Sequence, residues 1–130
     1  MTGPDLDAWN AEKKRLSERE GLPLFRAGEV WWCSLGVGVG VEITGKGAQF
    51  RRPVIVLRKL GPAGCIVAPL TTRPREGDWF HPLNWGQGPR WVMLNQMRFV
   101  SATRLSNRMV TLSAAQVNAV RASLRAFWQF

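Results

Sequence analysis

From Gly28 to about residue 112 the chain is cut at short intervals by glycine and proline, and only brief apolar or alternating runs lie between the cuts. Runs of that length make strands, not long helices. They predict strands at residues 28–35, 53–59, 65–70, 79–83, 91–94 and from 99 or 100 onward, with turns or loops at Gly61-Pro62, 73–77 and 85–89. No helical stretch alternates with them, which excludes a doubly wound parallel sheet, and five or six short strands are too few for a large sandwich. A small, partly open β barrel remains.

Both ends of the chain carry helical patterns. Pro4 and Asp5 suit a helix start, Leu6, Trp9, Lys13 and Leu16 recur at helical spacing, and Gly21 and Pro23 stop the pattern. Glu12-Lys13-Lys14-Arg15 and Glu18-Arg19-Glu20 describe a solvated face with i,i+4 pairs. This helix is expected to dock as an appendage through Leu6, Trp9 and Leu16. Near the other end Ser113 and Gln116 form a capping-box signature, and Val117, Val120, Leu124 and Phe127 make one apolar side to pack on the barrel. The expected organisation is mainly β with flanking helices: an N-terminal helical extension over 1–27, then a barrel domain with a C-terminal helix over 28–130.

Charge is divided unevenly. Residues 1–27 hold five basic and five acidic groups, so the thirteen basic and four acidic groups of 28–130 carry the whole formal net charge of +9. Eleven of those thirteen are arginine, whose planar fork suits phosphate oxygens. A polyanion is the expected partner, nucleic acid ahead of a membrane because no basic amphipathic helix is visible. No apolar run approaches the roughly 20 residues a bilayer span needs. Residues 1–10 carry Asp5 and Asp7 where a signal peptide would carry basic residues, so a cytoplasmic location is expected.

The inventory excludes several chemistries. His81 is the single histidine, the barrel part has four acidic residues, and Cys33 and Cys65 stand far apart in apolar strands. Multi-imidazole, zinc and two-metal sites therefore lack ligands, so no metal or cofactor is expected, and the two thiols are expected to be buried. Residues 40–46 approximate a phosphate loop, yet Gly47 stands where Ser or Thr should hold magnesium. What is left is a glycine-rich loop that also holds Glu42, Lys46, Arg51 and Arg52.

In order along the chain come Gly28-Glu29-Val30-Trp31-Trp32, Gly40-Val41-Glu42, Arg52-Pro53-Val54-Ile55-Val56-Leu57, Ala68-Pro69-Leu70-Thr71-Thr72, Leu94-Asn95-Gln96-Met97-Arg98 and residues 101–105. This series resembles the MazF/PemK (Kid) family of type II toxin-antitoxin ribonucleases. The resemblance implies an SH3-like small barrel of the MazF/Kid/CcdB kind and a homodimer that cuts single-stranded RNA without metal. In that scheme the RNA's own 2′-hydroxyl attacks the adjacent phosphate and leaves a 2′,3′-cyclic phosphate. It also implies a cognate antitoxin, expected to lay an acidic segment over the basic groove.

Residue roles follow from the same resemblance. Arg52 matches the catalytic arginine and is expected to grip the scissile phosphate. Thr71 matches the catalytic threonine, set to bond a phosphate oxygen or steer the 2′-hydroxyl. Glu42 is the candidate general base, with an ion pair to Arg51 or Lys46 as the structural alternative. Lys46, Arg51, Arg73, Gln96 and Arg98 are expected to bind RNA, Gln96 and Arg98 matching the family's Gln-x-Arg, in which the arginine equally suits bracing the barrel. Trp79, Trp85 and Trp91 are candidates to stack a base, with the remaining tryptophans filling the barrel. His81 reads as structural, with a proton shuttle near neutral pH as the alternative. Asn95 stands where Kid-like members carry a catalytic aspartate, and Met93 replaces an arginine of that scheme, so the Arg52–Thr71 chemistry is the one this chain supports. A CcdB-like, non-enzymatic inhibitor of a protein such as gyrase and an inactive RNA-binding barrel are the competing readings.

Overall fold

The computed structural model describes residues 3–19, 21–38, 42–47 and 50–129. Helix α1 (Gly3–Ser17) leads into strands β1 (Glu29–Ser34), β2 (Arg51–Leu60), β3 (Gly64–Thr71), β4 (Phe80–Leu83), β5 (Arg90–Met93), β6 (Arg98–Ser101) and β7 (Leu105–Thr111), and helix α2 (Ala114–Trp128) follows. The strands form one antiparallel sheet in the order β4-β5-β3-β2-β1-β7, with β6 also on β3. Strand β3 makes this possible, because Gly64 to Val67 pair with β6 whereas Leu70 and Thr71 pair with β5. The sheet folds over along β3 without closing, and an open, small-barrel-like structure results.

Strand periodicity sorts the core into two sides. Val54 and Val56 of β2 join Cys33, Cys65 and Val67 on one side, while Ile55 and Leu57 join Val30, Ala68 and Val120 of α2 on the other. Each fully buried Val or Leu contributes roughly 1.5–3 kcal/mol, so β2, packed on both sides, is the central element. Burial pushes the Cys33 thiol up to about 12 and the Cys65 thiol up to about 11, and both cysteines are free. Glu29 is buried too. Burial alone would raise its pKa, but bonds from the Trp31 indole, the Arg26 backbone N–H and Arg108 outweigh this and hold it below the usual carboxylate value.

Several expectations are corrected. The run from Phe99 onward is two strands, because a 3-10 turn at Ala102–Arg104, capped by the Ser101 hydroxyl, breaks it into β6 and β7. Strand β2 starts at Arg51, ahead of Pro53, because Phe50 adopts a left-handed conformation (φ 52°) and Lys46 and Arg51 exchange backbone hydrogen bonds. Of the three expected docking residues, Trp9 and Leu16 of α1 are buried, but Leu6 is exposed, and Glu12 is buried with them. Arg15 of this helix pairs with Glu12 at i,i+3 spacing. Tryptophan is not the main filling of the barrel: its fully buried side chains are Phe25, Ile55, Leu70 and the valines among others, with Trp31 buried beside them and Trp85 packed against the second side. Phe25 lies in the segment read as an appendage, yet it is fully buried, and Lys59 sits over its ring at 4.4 Å. Glu20, Gly40 and Val41 lie outside the described residues.

Candidate functional site

The site begins with two prolines. Pro53 of β2 is opposite Trp32 of β1, and Pro69 of β3 is opposite Val54 of β2. Neither has an N–H to donate to a ladder. The β2–β3 pairing stops at Val54–Pro69, and β3 goes on to pair with β5. Arg52 lies two residues before Val54 on β2 and Thr71 two residues after Pro69 on β3, so both flank the point where the two strands part.

Arg52 is half-buried and donates from Nε to the Thr44 carbonyl at 2.8 Å. Its pKa is lowered by burial first, then by the positive charges of Arg73 and Arg75. The ion pairs among the described residues, Arg15 with Glu12 and Arg108 with Glu29, involve none of these three arginines. Arg75 escaped the sequence reading, although Arg73-Pro74-Arg75 directly follows the Thr71-Thr72 pair. Thr71 is buried, and its hydroxyl accepts from the Arg73 N–H at 3.2 Å, which turns the chain back toward Arg52. The arrangement is a cationic corner with one hydroxyl beside it, suited to hold a tetrahedral oxyanion.

The loop between β1 and β2 forms the adjoining wall. Glu42 lines a cleft with Asn95, Gln96 and Arg98. Gln96 accepts the Ile43 N–H at 2.7 Å, and Arg98 donates to the Leu35 carbonyl at 3.4 Å, so both hold the loop to the turn after β5. Glu42 is exposed and stands two residues from the carbonyl that Arg52 grips. It brings a carboxylate to the cleft in which Asn95 lies. The neck of the loop is tight: a Cβ on Gly45 would collide with the Phe50 backbone. On the far side, a Cβ on Gly36 would collide with the Trp9 ring.

Arg51 and Lys46 are placed apart from Arg52. Consecutive strand residues point to opposite faces, and Arg51 lies over the Trp32 ring at 5.6 Å, donating to Ser106 Oγ and Asn107 Oδ1. Lys46 is exposed beside it. Among the three candidate stacking tryptophans, Trp79 is 42% exposed and follows the arginine-bearing loop. Trp85 is covered by Arg90 at 4.8 Å, and Trp91 is half-buried in β5. His81 is held through Nδ1 to Ser123 of α2 at 2.7 Å, away from Arg52. Among the described residues no group of three or more His, Cys, Asp or Glu comes together to hold a metal, and no helix is long and apolar enough to cross a membrane.

A sequence-family model described as the PemK-like, MazF-like toxin of type II toxin-antitoxin systems matches residues 26–128. The chain belongs to this family. Like other MazF-type toxins it carries the open small-barrel fold. The crystal structure of MazF from Deinococcus radiodurans is 20% identical with a TM-score of 0.67 over 85% of this chain and 100% of that one. An endoribonuclease in complex with its cognate antitoxin, from a mycobacterial species, is 15% identical with a TM-score of 0.65 over 82% and 97%. At these identities the likeness establishes the fold. No curated protein sequence matches the chain. The match of the family model begins one residue after Phe25 and takes in the whole Arg52 corner.

Proposed function

We propose that this MazF-type toxin is an endoribonuclease that cleaves single-stranded RNA without a metal ion. The observation that carries the reading is the Arg52 corner: a half-buried guanidinium under the charges of Arg73 and Arg75, with the buried Thr71 hydroxyl bonded to the Arg73 N–H. RNA supplies the nucleophile in its own 2′-hydroxyl, so the protein has to place the phosphate, stabilise its added charge and move two protons. Arg52 grips the phosphate oxygens in a bidentate mode. Arg73 and Arg75 add field, and Thr71 bonds an oxygen or the attacking hydroxyl. Glu42 takes the 2′-hydroxyl proton as the O2′–P bond forms. The P–O5′ bond breaks, and O5′ is protonated from solvent. The products are a 2′,3′-cyclic phosphate and a 5′-hydroxyl.

Lys46, Arg51, Gln96, Arg98 and Trp79 extend the contact along the strand. The natural inhibitor is a cognate antitoxin whose acidic segment covers the same basic surface. The active unit is a homodimer of barrel domains over 28–130, with 1–27 as an extension, acting in the cytoplasm where its RNA lies. Purified protein incubated with mixed RNA in EDTA is expected to cut it; no cleavage over a wide protein range sinks the reading. Cut ends bearing a 3′-hydroxyl would contradict 2′-hydroxyl attack. Arg52→Ala is expected to lose about a hundredfold or more in rate, as for removal of a single oxyanion donor. Thr71→Ala is expected to cut slowly while binding RNA nearly normally.

A further inference from the structure

On the face away from Arg52, α1 and β7 enclose a cleft of about 360 Å3, within the roughly 300–1,000 Å3 of small-ligand clefts. Arg15 and Arg19 from α1 and the segment after it line one wall, Arg51 and Arg104 line the other, and Ser106 and Asn107 lie between them. Each of three arginines is pinned by a single terminal nitrogen. Arg19 Nη1 donates to the Thr103 and Leu105 carbonyls, Arg104 Nη1 to the Ser34 carbonyl, and Arg51 Nη1 to Ser106 and Asn107. Among the described residues their other guanidinium N–H groups have no hydrogen-bond partner. The ion pairs among the described residues engage Arg15 alone in this set. Four arginines in one recess raise its positive potential, which an anion would lower.

We propose that this cleft is a second RNA-binding site, which takes a phosphodiester of the strand some nucleotides away from the one held at Arg52. The proposal rests on the ribonuclease reading for its ligand and on the cleft geometry for its place. RNA is favoured over an acidic peptide on three grounds. Trp32 and the Arg51 laid on it form a stacked platform beside the arginines, which suits a base. Asn107, whose Oδ1 is held by Arg51, offers its amide N–H groups, of the kind that meet a 2′-hydroxyl or base edge. Arg51 is joined to Arg52 in β2, so one strand can reach both faces around this edge. The N-terminal segment, balanced in charge by sequence, therefore has a function: it turns its arginines toward β7 and builds half of the site.

The test uses full-length protein and two oligouridylates with 2′-O-methyl groups, which cannot be cut, of about 6 and about 20 nucleotides, bracketing typical single-strand sites. Asn107→Asp keeps the bond from Arg51 and puts a carboxylate into the cleft, and Arg15→Gln/Arg19→Gln removes charge from the other wall. Both are expected to bind the long probe about fivefold more weakly, with a salt slope shallower by about 0.7 per lost phosphate contact, and to bind the short probe as wild type does. Arg15→Lys/Arg19→Lys is expected to recover long-probe binding. Unchanged long-probe affinity, or equal weakening for both probes, overturns the proposal. Oligoglutamate binding weakened as strongly by the same substitutions makes the cleft a polycarboxylate site and overturns it as well. Wild-type protein that binds the long probe but cuts no RNA removes the ribonuclease reading and leaves the cleft. Normal cutting with indifferent binding removes the cleft alone.

Discussion

The two helices are each fifteen residues long and are attached by different physics. Helix α2 opens with a complete capping box at Ser113 and Gln116 and drives Val120 fully into the core, with Val117, Leu124 and Phe127 packed around it. Helix α1 touches the barrel at its rim. Trp9 meets Phe50 edge-on at 5.5 Å, Arg104 lies over the same indole at 5.2 Å, and Arg19 grips the Thr103 and Leu105 carbonyls where the turn leads into β7. A helix embedded in the core unfolds with the core, whereas a helix clipped to a rim can open on its own. The first holds the fold together, and the second sets the loop and the cleft beside it.

Four measurements sharpen or break that contrast. Val120→Ala is expected to destabilise the whole chain by about 2 kcal/mol through loss of buried methyls and the cavity left behind, read by denaturant unfolding. A loss confined to α2 would make that helix a local unit as well. Ser113→Ala removes the cap and is expected to cost about 1 kcal/mol, again shared by every probe of the fold. Trp9→Ala is expected to move the global midpoint by less than about 0.5 kcal/mol, because the rim helix opens locally. Hydrogen exchange should speed up in α1 and in 35–38 and 42–47 while β2 and β3 keep their protection. Gly36→Ala is expected to reproduce that pattern, since its φ of +88° disfavours a side chain and the new methyl would displace Trp9. Uniform loss of protection in either variant would end the distinction between the helices.

The smallest effect is a dependence on pH. Burial lowers the pKa of His81, which links β4 to α2 through Ser123. The unfolded chain takes up the proton first, so the stability due to His81 is complete above about pH 6.5, its ordinary value. It is lost as pH falls through the lowered folded value. A thermal midpoint that drops between pH 7.5 and 5 in wild type, and less in His81→Gln, is the expected result. An identical slope in the two proteins removes His81 from the attachment of α2.

What the sequence made legible was whatever local periodicity can carry. Strands β2 and β3 stand out because their apolar runs lie between glycine and proline signals, and α2 because its cap and its stripe agree. Phe25 carried no such mark: it sits between Pro23 and Gly28 in a segment without periodicity, and only tertiary contact makes it core. The break between β6 and β7 was hidden because a single 3-10 turn in an alternating stretch leaves no glycine or proline behind. At the site, the motif order named Arg52 and Thr71, but that both flank the point where β2 and β3 part depends on the β2–β3 register, a long-range quantity. The same register sends Arg51 to the other face, which adjacency in sequence would never indicate. Arg75 reaches the corner because Thr71 turns the chain after β3.

The two cysteines carry a practical consequence. With both thiols in the core and their ionisation pushed far above neutral pH, hardly any thiolate exists for alkylating reagents to find. The folded chain is therefore already a quiet background for site-specific labelling. A single Lys13→Cys would be the one reactive position, and a dye placed there would report directly whether α1 is clipped to the rim or released.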